Sequence, residues 1–241
     1  MSLGDEIFGT PSYLVMDPVH GGISFFDYEK RVIDHRLFQR LRYILQNDVV
    51  FLVFPGATHS RFEHSIGSMH VAGRLFQSLV RSYLNDPKRP RTGRMSDEAK
   101  EAVQYFNACF RLAALLHDVG HPPFSHQFET ADMPKTLLAE PEIISSMWPD
   151  GSWKVYYSPS KRPTKLTHEH YSVWCAHHIL ADVLRDDPSG IIPLDVIGLL
   201  ETTDCSPSEK FTNLGQIFTD VPVGIDDFKL SHAPQFLLFL E

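Results

Sequence analysis

The stretch that most constrains this chain is CFRLAALL at 109–116, followed at once by His117, Asp118, Val119, Gly120 and His121 and then by Pro122-Pro123. A helix that is apolar all round has no face to give to water, so it must lie at the centre of whatever forms around it. Ser96 offers an N-cap for that helix, Asp97 and Glu98 sit in the first turn where the helix dipole favours them, and the two prolines forbid its continuation. The pattern predicts a helix opening at Ser96 and ending by Gly120, with His117 and Asp118 delivered at its C-terminal end. Chemistry is expected there.

Other segments supply the layers around this rod. Val32, Ile33, Leu37, Leu41, Ile44 and Leu45 recur at helical intervals, with Arg36, Arg40 and Arg42 between them, and predict a first amphipathic helix pair. Ser60 and Glu63 form a capping box for a helix starting near Arg61, whose stripe runs through Ile66, Met69, Ala72, Leu75 and Leu79. Thr167 caps a helix to about Arg185, and Pro193 suits the first position of another. Residues 13–26 alternate loosely around Gly21-Gly22 and predict a small hairpin. Residues 130–166, rich in proline, predict short turns and a long irregular excursion. The expected fold class is all-α, a helical bundle with a small N-terminal β-hairpin, in one domain over 1–241.

Composition narrows the function classes. A chain of 241 residues that is 43% hydrophobic can bury a real core, and no apolar run nears the roughly 20 residues of a membrane span. A net charge of −8 argues against a surface built mainly to hold a polyanion. Cys109, Cys175 and Cys205 are too scattered for a disulfide framework or a sulfur-ligated zinc site. With no cationic, apolar leader at its start, the protein is expected to be cytoplasmic and to have no membrane partner.

Histidine is the unusual component, thirteen in all. His64 lies in the first turn of its helix, and neighbouring residues on a helix point about 100° apart, so His117 and Asp118 can share an ion only over a helix end. Two imidazoles and a carboxylate form a mixed nitrogen and oxygen set, suited to Mn, Fe, Mg or Ni at least as well as to Zn. For each histidine alone, a capping or dipole-satisfying role is the commoner one.

The strings DPVHGGI (17–23), FQRLRYILQ (38–46), FPGATHSRFEHSIG (54–67), LAALLHDVGHPPFSHQFE (112–129) and LTHEH (166–170) resemble the HD-domain metal-dependent phosphohydrolases. Within them the match is to the deoxynucleoside triphosphate triphosphohydrolase branch, which takes in dGTPase-like enzymes and the HD domain of the SAM-and-HD-domain dNTPases. His64, His117 and Asp118 match the first three metal positions of the family pattern. The family's last aspartate sits in a later segment with no counterpart here, so the C-terminal part is expected to be truncated before the fourth ligand. Asp226-Asp227 only echoes that segment.

The resemblance implies attack of water on the α-phosphorus of a dNTP, releasing deoxynucleoside and inorganic triphosphate. His121, His126 and His168 match positions able to protonate the departing 5′-oxygen, with His126 or His168 favoured and Glu129, an aspartate in the family, oriented behind. Arg61 matches a phosphate-contacting arginine. Gln46 matches the glutamine that reads the sugar edge, and its neighbour Asn47 stands where the family has leucine. Asp34, Gln39 and Arg42 match positions that bind an activating GTP or dNTP at a subunit interface, which implies a homo-oligomer. A phosphate-gripping lysine of that interface is Tyr13 here, and a plain helix-surface role for Asp34 and Gln39 stands equally open.

Two other readings remain. One is an HD phosphohydrolase acting on a different nucleotide phosphate ester, since the metal motif alone does not choose the scissile bond. The other is an inactive module that binds nucleotide or single-stranded nucleic acid, with Lys88, Arg89, Arg91 and Arg94 as its basic patch.

Overall fold

In the computed structural model, which describes residues 3–84, 95–148, 151–158, 164–200 and 203–219, the central rod is α5 (Asp97–Leu116). Ser96 caps it by accepting the Ala99 amide at 3.2 Å. From Ala102 to Leu116 every residue but Gln104 is buried. The one charged side chain in that stretch, Arg111, makes a two-pronged pair with buried Glu29, 2.6 Å to Oε1 and 2.8 Å to Oε2. It also donates to the Ser24 carbonyl at 3.0 Å. A charge this deep is tolerated because the guanidinium is paired with a carboxylate and hydrogen-bonded.

Glu29 belongs to α2 (Asp27–Asp34), and Ser24 to the hairpin of β1 (Tyr13–Asp17) and β2 (Gly21–Phe25). Its register pairs Tyr13 with Phe25 and Asp17 with Gly21. The turn lies over residues 18–20, with Gly21 opening β2 at φ 73°, a left-handed conformation that glycine adopts without cost. The hairpin is therefore present, but its reversal comes one step before the Gly-Gly pair. Before the hairpin, α1 (Leu3–Phe8), which has no signature in the sequence pattern, packs Ile7 and Phe8 on Val103 of α5.

The predicted first helix pair is shorter than its periodicity suggests. His35 breaks the run in extended conformation, and α3 (Arg36–Gln39) passes into a 3-10 turn over Arg40–Tyr43. The chain then reaches α4 (Arg61–Leu84), whose entry is the predicted capping box: the Ser60 amide donates to Glu63 Oε2 at 2.6 Å, and the Glu63 amide donates to Ser60 Oγ at 3.4 Å. Packing of α4 on α5 is the largest helix contact of the fold.

Within 130–166 the described residues depart from the sequence expectation. After α6 (Ser125–Thr130), and in place of an irregular excursion, they form α7 (Asp132–Leu137), α8 (Pro141–Met147) and a 3-10 turn over Ser152–Val155. Helices of six or seven residues are too short to show an apolar period, and they are anchored by the buried side chains of Leu138, Trp148, Tyr156 and Tyr157. The remaining helices are α9 (His168–Val183), α10 (Pro193–Ile197) and α11 (Glu209–Thr219). Thr167 is the N-cap residue of α9, and Pro193 starts α10, as read from the sequence. The architecture is all-α with a two-stranded N-terminal hairpin. No helix among the described residues is long and apolar enough to cross a membrane.

Candidate metal centre

The centre is assembled where α5 ends. Helical bonding stops at Leu116, and His117 to Gly120 form a turn in which the Val119 amide donates to the Leu116 carbonyl at 3.1 Å. Gly120 is required by proximity. A Cβ on it would lie 2.0 Å from the Ser172 amide nitrogen and 2.6 Å from the His168 carbonyl oxygen, so the turn sits directly on the first turns of α9. The Gly120 amide donates to Ser172 Oγ at 2.9 Å.

On the other side, residues 44–46 zip antiparallel to 59–61, with the Arg61 amide on the Ile44 carbonyl at 2.8 Å and the Gln46 amide on the His59 carbonyl at 3.1 Å. This short pairing brings Gln46 beside the start of α4. His64, one turn into that helix, faces the end of α5.

His64, His117 and Asp118 come together with ligand atoms all within 4.8 Å of one another. The Nε2 atoms of His64 and His117 are 3.2 Å apart. His64 Nε2 lies 3.6 Å from Asp118 Oδ2, and His117 Nε2 lies 3.6 Å from Oδ1. His117 Nδ1 is 2.8 Å from the Ala114 carbonyl, an acceptor, so Nδ1 carries the proton and Nε2 presents a bare lone pair to the centre. A mixed donor set with the tautomer already chosen fits a divalent metal. Burial, followed by the neighbouring His117, pushes the His64 pKa down to about 4, which keeps that imidazole neutral at physiological pH. For Asp118 burial works in the opposite direction, but His117, His121, Arg61 and His64 together overcome it and bring its pKa down to about 2.

A second histidine group adjoins the first. His121, His126 and His168 also bring one ligand atom each within 4.8 Å of one another. The rings of His121 and His168 stack at 3.9 Å, and His126 meets His168 edge-on at 4.9 Å. His121 Nε2 lies 3.6 Å from Asp118 Oδ1, which links the two groups. Burial lowers the His121 pKa to about 2, so this imidazole is neutral, and its Nδ1 has no hydrogen-bond partner among the described residues. His126 is exposed, on a helix entered through Phe124 in the left-handed region at φ 63°. The Glu129 side chain lies outside the described part.

Arg61 is not an exposed first-turn arginine. It is 3% exposed, and its Nη1 donates to Asp118 Oδ2 at 2.5 Å while Nη2 reaches the Gln46 carbonyl at 3.4 Å. Gln46 Oε1 is buried with no partner among the described residues. Asn47 is exposed in the adjoining turn. The positions matched to an activating nucleotide are engaged locally: Asp34 pairs with Lys30, Gln39 donates to the Ile33 carbonyl at 2.7 Å, and Arg42 donates to Gln39 Oε1 at 2.8 Å. Asp226, Asp227 and the basic run 88–94 lie outside the described residues.

A histidine on one helix, facing a His-Asp pair at the end of another, is the arrangement the motifs implied, and residues 61–148 match the family model of the HD domain. The chain carries an HD domain. It is 35% identical over 202 residues to deoxynucleoside triphosphate triphosphohydrolase SAMHD1 of Bos taurus, covering 82% of this chain and 28% of that protein. Identity to the Homo sapiens protein of the same name is 33% over 192 residues, 79% of this chain and 24% of the relative. For the SAMHD1 homolog of Dictyostelium discoideum it is 41% over 119 residues, 49% and 20% respectively. The chain thus spans about a quarter of the length of these relatives or less.

Sequence reasoning missed two side chains around the HD turn. Ser172 holds the Gly120 amide, and Arg40 donates through Nη1 to the His121 carbonyl at 2.7 Å and through Nη2 to the Val119 carbonyl. Neither has a pattern to betray it, because each acts on backbone atoms far away in the chain.

Proposed function

We propose that this HD domain is the metal-dependent catalytic core of a deoxynucleoside triphosphate triphosphohydrolase, converting a dNTP to deoxynucleoside and inorganic triphosphate. The observation that carries it is the convergence of the His64 and bare His117 nitrogens on Asp118, with a second histidine group alongside; the naming of the relatives supplies the substrate. His64, His117 and Asp118 would hold the metal, and a divalent ion bound there would supply polarisation of phosphoryl oxygens and easier deprotonation of water.

Each remaining side chain has a task that its geometry supports. Arg61, bonded through Nη1 to Asp118 and through Nη2 to the Gln46 carbonyl, sets a planar cation beside the proposed metal site, where its charge would favour a substrate phosphate. Gln46 Oε1, a buried acceptor with no partner among the described residues, suits a sugar hydroxyl, since a buried acceptor is costly unless something donates to it. The departing 5′-oxygen takes its proton from His126 or His168, while neutral His121 positions them by stacking. A GTP or dNTP activator at Asp34, Gln39 and Arg42 would have to displace the local bonds those side chains make. The exposed apolar run Leu52, Val53 and Phe54 favours a homo-oligomer.

The test loads the purified chain with Mn, Fe or Ni and assays triphosphate release from a dNTP panel, with and without GTP. Metal bound at one equivalent and triphosphate released from dGTP support the proposal. Release of monophosphate or of orthophosphate points to another phosphate ester, and salt-sensitive oligonucleotide binding without turnover points to the inactive module.

A further inference from the structure

We propose that Arg40 is a positioning residue for the metal centre, a cap supplied from outside α5 that sets the shape of the turn carrying His117, Asp118 and His121. This rests on the metal-site reading above. The last carbonyls of any helix lack intrahelical partners, and the turn after Leu116 continues that run of free acceptors. Arg40 answers two of them at once, through Nη1 to the His121 carbonyl at 2.7 Å and through Nη2 to the Val119 carbonyl. Between these carbonyls lies the Gly120 amide, held by Ser172 Oγ. Three successive residues of the turn therefore have a backbone group fixed by a side chain from another element.

The fork geometry matters. Two donors in one rigid plane fix the relative orientation of two carbonyls, and hence of the 119–120 and 121–122 peptide planes, in a way that a single ammonium cannot. Asp118 immediately precedes the clamped pair and His121 ends it, so the directions of the carboxylate and of the buried imidazole follow from where Arg40 holds the backbone. The Arg40 charge also acts on the Cys175 thiol of α9, opposing the upward push of burial on its pKa, so Arg40 sits where the 3-10 turn, the HD turn and α9 meet. Its positive charge at the C-terminal end of α5 complements the helix dipole. Arg40 touches neither the metal ligands' donor atoms nor any substrate position, which distinguishes its role from that of Arg61.

The experiment measures Mn(II) affinity of the chelator-stripped chain by EPR, in parallel with the urea midpoint, for wild type, Arg40→Met, Arg40→Lys and the remote core variant Ile197→Val. The expected result is Mn(II) binding weakened about 10–100-fold in Arg40→Met, the range seen when groups that orient metal ligands are removed. Arg40→Lys should recover part of the loss, and Ile197→Val should be less stable with affinity unchanged. An Arg40→Met affinity within about twofold of wild type overturns the proposal. If Arg40→Met does not fold, Arg40→Lys decides: wild-type affinity and an unaltered Mn(II) spectrum overturn it, weaker binding with a changed spectrum upholds it. Failure of the wild-type chain to bind Mn(II) overturns the metal-site reading and this inference with it.

Discussion

The HD turn at 117–121 and the segment that follows it at 125–147 both contribute histidines to one cluster, yet they are built in opposite ways. The turn is buried and braced from three directions, by Arg40, by Ser172 and by Arg61 on Asp118. The segment consists of helices of six or seven residues whose described side chains are mostly exposed, with Leu138 its buried anchor before Trp148. Metal ligands need fixed geometry, whereas a proton donor must follow a leaving group. Under the proposed function the division places the ligands His117 and Asp118 on the braced part and the candidate proton donor His126 on the exposed one.

Gly120→Ala is the most severe way to break the rigid side. The new Cβ would meet the α9 backbone at 2.0 Å, and backbone cannot swing aside like a side chain. We expect a loss of about 5 kcal/mol or of the folded state, read from the urea midpoint. An alanine variant with wild-type stability would show that the turn is not seated on α9. Asp118→Ala comes next: it removes a ligand and leaves the Arg61 guanidinium buried without its carboxylate, at a cost of about 3–4 kcal/mol. Metal retention should vanish with it, and metal content unchanged in this variant would mean the ligand is misassigned.

The legible parts of this molecule were those with local chemistry. The Ser60-Glu63 box, the Ser96 cap, Thr167 and Pro193 each mark a helix start within a few residues, and the His-Asp pair stands out because the buried helix before it ends abruptly. What could not be read depended on tertiary contact. The short helices of 125–147 carry less than two turns of pattern, and α1 is too brief to show any. Arg40 looked like one more polar residue between apolar ones, and Arg61 matched a phosphate-contacting arginine without revealing that it had a carboxylate to neutralise.

Acid offers a graded test of the same contrast. The unfolded chain protonates a histidine near 6.5, whereas folded His64 resists until about 4 and His121 until about 2, so between these values the unfolded state binds more protons and stability falls as pH drops. Asp118 contributes stability that is intact above about 4 and is lost as pH falls toward its folded value of about 2. With metal removed by chelator, the urea midpoint should fall from pH 6.5 downward, before the carboxylate range is reached. A midpoint level from pH 7.5 to 5 would contradict the burial of both imidazoles.

The smallest expected effect is on the adaptable side. Phe124 is 65% exposed and sits at φ 63°, a conformation that costs an ordinary L-residue roughly 1–2 kcal/mol. Phe124→Gly removes that strain and should raise the unfolding free energy, read from urea melts, by about 1 kcal/mol with Mn(II) affinity unchanged. A fall in stability would mean that the phenyl ring packs where the exposed position gives it no partner.

The pairing of Arg61 with Asp118 also bears on how this protein can exist without its metal. In small zinc domains binding is folding, because the ligands have nothing else to hold them together. Here the carboxylate already has a cation bonded to it, so the chain can fold first and load later. A metal at the proposed site would then join a carboxylate that already holds Arg61 through Oδ2, and the affinity measured would be net of that existing ion pair.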